Sequence, residues 1–326
     1  MGEGATNGSL PVPYRAIGLL IEQRALTLFL GAAASLVGAG QGALPSGSQL
    51  SAALANLASY PLSQAGDSLT KVAQYLVEYA GDRDLILSYI KAQFHDKVPQ
   101  TYRCAITDFL GEVPAQYMPK LIVSTNYDTL VERLLESRSI PYVCISHVLG
   151  RSKYAGRLIV YEKLDGFSRK SILTRAEADE LLLQRLEGSS PRVILYKMHG
   201  SAISYAPKDK RDEALAGGLN SIVITEQDYI DYLDKNTMQR LPIELQRMLH
   251  NSQFLFLGYS LSDWNFRLLL HRLRESQAGA ETKHYACLLQ NDPVESIFWQ
   301  KRGVNIHYVS LDLFLSNLRQ HLEFAP

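Results

Sequence analysis

Four short apolar runs, each stopping abruptly in small or polar residues, constrain this chain more than any other feature. Leu26-Thr-Leu-Phe-Leu30 runs into Gly31-Ala-Ala-Ala-Ser35, and Lys120-Leu-Ile-Val-Ser124 into Thr125-Asn-Tyr-Asp128. Arg192-Val-Ile-Leu-Tyr196 runs into Lys197-Met-His-Gly200, and Gln253-Phe-Leu-Phe-Leu257 into Gly258-Tyr-Ser260. The runs are continuously apolar rather than alternating, which marks strands covered on both faces, as parallel strands are. Further strands are expected at about 141–145, 221–224, 283–289 and 304–309, with helical spacing between them. The fold class that follows is α/β, a Rossmann-like, mostly parallel sheet with helices on both faces. Such sheets bind ligands beyond the carboxyl ends of their strands, where all four clusters lie.

Between the first two of these strands the pattern changes. Leu69, Val72, Ala73 and Leu76, then Leu85, Ile86, Tyr89 and Ile90, repeat with helical spacing. Helices are expected at about 67–80, 83–95 and 99–111, within an inserted helical module at about 49–118 that can wall or cover the strand ends. Residues 1–12, small and polar, read as a flexible arm, and 13–326 as one domain. Residues 146–191 look irregular apart from a helix at about 175–187. Thr225 and Asp228 read as a capping box, and Ser262 or Asp263 as a cap for the helix after the last cluster.

Composition narrows the function. Lys+Arg and Asp+Glu both number 33, so no strongly basic surface exists over the whole chain and direct nucleic-acid binding is not expected. Zero net charge also lowers one barrier to self-association. Cys104, Cys144 and Cys287 are far apart and form no C-x-x-C pair, so neither a zinc ribbon nor a disulfide framework is expected. Reduced thiols, no basic-then-apolar start and no long apolar run lead to the expectation of a cytoplasmic protein without a membrane span.

Each cluster admits two readings. Gly31 to Ser35 either packs strand against helix or lets backbone N–H groups and the Ser35 hydroxyl approach an anion. Asn126 and Asp128 either cap a helix or, with Thr125, face a ligand; an asparagine amide both donates and accepts. His199 is either structural or a general base at a strand end. Gly258 to Ser260 is either an ordinary turn or a close backbone approach with a hydroxyl donor.

Taken in order, with Pro45-Ser46 and the run Ser221-Ile-Val-Ile-Thr-Glu-Gln-Asp-Tyr229, these clusters resemble sirtuins. They are most similar to the bacterial sirtuin-like domains of NAD-depleting antiviral defence proteins. The resemblance spans about residues 26–265 and implies NAD as the ligand. It would place Gly31, Ala32, Ala33 and Ser35 along the pyrophosphate, and Thr125, Asn126 and Asp128 at the nicotinamide ribose. Gly258, Tyr259 and Ser260 would lie at the adenosine side, with His199 as the catalytic histidine. Ala33 stands where the family usually has glycine, so its methyl group would crowd the pyrophosphate or demand a φ that alanine resists. Pro45 is followed by Ser-Gly-Ser, not the Asp-Phe-Arg context of deacylating sirtuins, and their four zinc cysteines have no counterpart.

The last two of these departures favour plain NAD hydrolysis to nicotinamide and ADP-ribose over protein deacylation or ADP-ribosyl transfer. Nicotinamide leaves as a neutral ring, charge grows on the ribose, Asn126 orients ribose and water, and His199 takes a proton. By the same resemblance the chain is expected to be an antiphage effector; since constant NAD loss would harm its host, its activity is expected to be gated by a partner protein or by assembly into a homo-oligomer. The alternative is a catalytically weak NAD-binding module that docks an ATPase or nuclease.

Overall fold

The computed structural model describes residues 11–38, 44–61, 68–81, 83–149, 153–187, 192–204, 221–234, 240–259, 261, 267, 270–271, 283–290 and 292–324. Its described strands form one sheet of nine, in the order β5-β4-β3-β6-β2-β1-β7-β8-β9. These are β1 (Leu26–Leu30), β2 (Leu121–Ser124), β3 (Tyr142–His147), β4 (Leu158–Leu164), β5 (Phe167–Leu173), β6 (Val193–Lys197), β7 (Gln253–Leu257), β8 (His284–Leu288) and β9 (Val304–Tyr308). From β3 to β9 across the sheet all neighbours run parallel, while β3–β4 and β4–β5 are antiparallel. The expected Rossmann-like architecture is therefore the observed one.

Helices cover both faces because successive strand residues point opposite ways. On one face Leu28, Leu30, Ile122 and Leu255 pack under α1 (Tyr14–Glu22), α6 (Ala105–Glu112), α7 (Leu130–Ser137) and α12 (Leu311–Arg319). On the other, Phe29, Val123, Ile194 and Phe256 meet α8 (Arg175–Leu186), α10 (Ile243–Asn251) and Trp299 of α11 (Pro293–Gln300). Between β1 and β2 the described residues are helical: α2 (Ala32–Leu36), α3 (Gly47–Leu57), α4 (Leu69–Ala80), α5 (Asp84–Lys91), a π turn at Ala92–Asp96, α6 and a 3-10 turn at Ala115–Tyr117. Ser46 and Gln49 cap α3 reciprocally.

The small-residue segment after β1 is a helix, because three alanines favour it once Gly31 supplies an extended N-cap. Two local expectations are corrected. Residues 146–191 hold the β4–β5 hairpin around the turn signal Asp165-Gly166. Residues 221–224 form no strand: their backbone is satisfied by Arg83 on Ile222 O, Tyr127 on Val223 O and Asp228 on Ile224 N. Residues 1–10, Ser260, Ser262 and Asp263 lie outside the described residues. No helix among the described residues is long and apolar enough to cross a membrane.

Candidate functional site

Strand register brings the clusters to one rim. Leu30 pairs with both Ser124 and Leu257, and Ser124 pairs with Lys197. Gly31, Thr125, Met198 and Gly258 therefore leave the sheet at the same level. Strand order reverses here, since β2 and β7 flank β1 on opposite sides. The β1 and β7 ends touch: Ala33 N donates to Gly258 O at 3.1 Å. A Cβ on Gly31 would lie 2.3 Å from Gly258 O, and one on Gly258, at φ +63, would lie 2.1 Å from Ala34 N. Both positions require glycine.

A cleft of about 780 Å³ opens at this rim. It falls within the range of small-molecule sites, roughly 300–1,000 Å³. Gly31, Ala32, Ala33, Ser35, Thr125, Asn126, Asp128, His199, Gly258 and Tyr259 all line it. Every described residue expected from sequence at the ligand site is thus brought together. Ala33 sits inside α2 and is not among the residues with positive φ, so its methyl group imposes no backbone strain.

The polar groups at one end form a connected chain. Asn126 Nδ2 donates to Gly31 O at 2.9 Å and to Ser35 Oγ at 2.8 Å. Ser35 Oγ in turn donates to Asp128 Oδ2 at 2.7 Å, and Asp128 Oδ1 accepts from Leu130 N at 3.0 Å. The Ser35 hydroxyl proton is thus spent inside the protein. Tyr102 adds a hydrogen bond from its hydroxyl to Ser35 O at 2.9 Å; burial raises its pKa to about 12, so it stays a donor. Both amide hydrogens of Asn126 are occupied, which fixes the amide. Its Oδ1 is left buried and without a hydrogen-bond partner among the described residues. A buried acceptor in that condition costs free energy unless a ligand or water supplies a donor.

Beneath the chain lies Lys197, 2% exposed. It donates to Asp128 O at 2.5 Å and pairs with Glu132 at 3.5 Å. Two residues on, His199 lies edge-on to Tyr229, with ring centroids 5.6 Å apart. Its carbonyl accepts from Val223 N at 3.1 Å. Lys197 opens one of the four clusters but has no role assigned to it from sequence, although a lysine closing an otherwise apolar buried run demands a partner. Tyr102 and Tyr229 carry no such local signal.

The cleft's other end is made by Cys287, Leu288, Leu289, Gln290, Asp292 and Glu295. Asp292 caps α11 through Val294 N and Glu295 N. Glu295 takes two bonds from Arg267, at 2.8 and 2.9 Å, and one from Trp299. Burial pushes the Cys287 thiol up to about 12, which keeps it unreactive.

A model of the SIR2-like domain matches residues 120–307, more than half of the 326 residues. The chain belongs to the SIR2-like family. Membership carries a sirtuin-type, NAD-related function in general terms. The matched span begins at β2, and register joins β1 and its glycine to it. No curated protein matches the chain. Among the described residues no group of three or more His, Cys, Asp or Glu could hold a metal ion.

Proposed function

We propose that this SIR2-like chain is an NAD hydrolase that releases nicotinamide and ADP-ribose, with Asn126 and His199 at the reacting centre. The observation that carries the reading is the Asn126 amide. It is locked by Gly31 O and Ser35 Oγ, with a buried, unsatisfied Oδ1 at a cleft that also holds His199. An acceptor so fixed suits the hydroxyl of a ribose or the O–H of an attacking water.

In hydrolysis, water adds to the ribose carbon that bears nicotinamide. The carbon–nitrogen bond breaks with its electron pair left on the ring nitrogen, and the water's second proton is lost. Asn126 Oδ1 orients the water or a ribose hydroxyl, and His199 takes the proton. Asp128, held by Ser35 and Leu130 N, keeps the 125–129 loop in place and contributes negative charge near the ribose. Gly31, Ala32 and Ala33 offer backbone to the pyrophosphate, while Ser35 acts through Asn126 and Asp128 rather than on the anion. Thr125 flanks the nicotinamide side. Gly258, Tyr259 and Ser260 serve the adenosine side, and the apolar wall at Leu288 and Leu289 continues it.

A hydrolase of this kind would harm its own cell if always active. The proposal therefore extends to a defence effector of bacteria that depletes NAD once a partner or self-assembly switches it on. Chromatographic detection of nicotinamide from purified protein and NAD tests the reading. Release by the wild type in its oligomeric form and its loss in Asn126→Ala and His199→Ala are expected. Tight NAD binding without turnover, even in the oligomeric form, would make the chain a binding module instead.

A further inference from the structure

Arg83 immediately precedes α5, outside the cleft, yet its guanidinium reaches the segment that packs against His199. One nitrogen donates to Ile222 O at 2.6 Å and to Asp228 Oδ2 at 2.8 Å. The same Asp228 oxygen accepts from Ile224 N at 3.0 Å and Thr225 N at 2.9 Å, while Thr225 Oγ1 accepts from Asp228 N at 3.1 Å. Three donors thus converge on one carboxylate oxygen at the start of α9 (Glu226–Asp234). A second tie lies alongside: Gln227 N donates to Gln74 Oε1 of α4 at 3.0 Å.

What this clamp holds is the reactive end. Val223, inside the clamped segment, binds His199 O through its N–H and accepts the Tyr127 hydroxyl through its carbonyl. Tyr229, the residue after Asp228, presents its ring to the His199 imidazole. The segment has no strand ladder of its own, so side chains set its place.

We infer that Arg83 is a positioning residue: through Asp228 it couples the helices between β1 and β2 to the Tyr229–His199 contact. A displacement of α4 and α5 would then be felt at the imidazole without any contact to the ligand. The kinetic consequence rests on the NAD-hydrolase reading; the structural consequence rests on geometry alone.

The two are separated by measuring both hydrogen exchange and turnover in Arg83→Met and Arg83→Lys. Methionine keeps the aliphatic length and removes every donor; lysine keeps the charge on a shorter side chain, so its ammonium falls short of the position from which one guanidinium nitrogen serves both acceptors. Exchange in peptides covering 221–232 should rise roughly tenfold in Arg83→Met, with the β1 and β2 peptides unchanged, and to an intermediate degree in Arg83→Lys. In nicotinamide release, Arg83→Met should lower kcat roughly tenfold with KM for NAD altered less than about threefold, and Arg83→Lys should recover part of it. If the oligomeric wild type releases no nicotinamide, the hydrolase reading fails, and exchange at 221–232 still decides the coupling. Unchanged exchange there in both variants, or a loss confined to KM, overturns the inference. Should Arg83→Met fail to fold, exchange and turnover in Arg83→Lys decide the matter by the same criteria.

Discussion

At the β1–β2–β6 end of the cleft, hydrogen bonds run unbroken from Gly31 O through Asn126 and Ser35 to Asp128, with Lys197 buried below. At the β8 end, Asp292 and Glu295 spend their carboxylates on α11 and Arg267, and Leu288 and Leu289 form the wall. Leu289 is 79% exposed, whereas Asp128 is 4% exposed. One end is held in a single geometry and keeps one acceptor in reserve; the other offers shape and apolar surface. Preorganised polar groups act on charge that develops in a reaction, and apolar surface binds reactant and transition state alike. On the proposed hydrolase reading, the contrast would assign chemistry to the first end and affinity to the second.

The sharpest challenge to this contrast is to remove the buried cation. Lys197→Met takes away the positive charge beside buried Glu132 and frees Asp128 O. It should cost about 3–5 kcal/mol in denaturant unfolding, and the double variant Lys197→Met/Glu132→Leu should regain much of it. A loss below about 1 kcal/mol would mean that the floor of the reactive end is not under charge control.

His147, at the end of β3 against Tyr196 and Tyr232, sharpens the contrast through pH. Burial first, then the nearby Arg240, lower its pKa from 6.5 to about 4. Between those values the unfolded chain binds a proton that the folded one refuses. The contribution to stability is therefore complete above pH 6.5 and lost as pH falls toward 4. The wild type should lose roughly 3 kcal/mol more than His147→Gln over that window, measured by urea titrations. Equal losses would mean that burial does not hold the imidazole neutral.

Ser35→Ala breaks the chain at its middle and leaves Asn126 able to rotate. It should lower kcat about tenfold with little change in KM. Smallest of all, Leu289→Ala at the far end should raise KM about two- to threefold with kcat unchanged. A fall in kcat there, or a rise in KM alone at Ser35, would invert the assignment of the two ends.

The same contrast governs what is legible in the sequence. The reactive end can be read because its residues follow directly on buried strands, and parallel register aligns strand ends without further information. Residues such as Asp292 and Glu295 arrive from β8 and α11, and only the strand order places them beside Gly258. The β4–β5 hairpin carries a turn signal at Asp165-Gly166, but its strands mix charges into apolar runs and so hide the strand pattern. Residues 221–224 look like a strand by composition. They are not one because their partners are Arg83, Tyr127 and Asp228, the first of them 139 positions from Ile222. No local pattern reports a contact of that span.

Nicotinamide release tests the central claim most directly, with NAD incubated with the wild type and with Asn126→Ala under the same conditions. Release by the wild type is expected, with a decrease of roughly 10²–10³-fold in the variant and thermal unfolding nearly unchanged. Equal rates in the two proteins would contradict a reacting centre at Asn126.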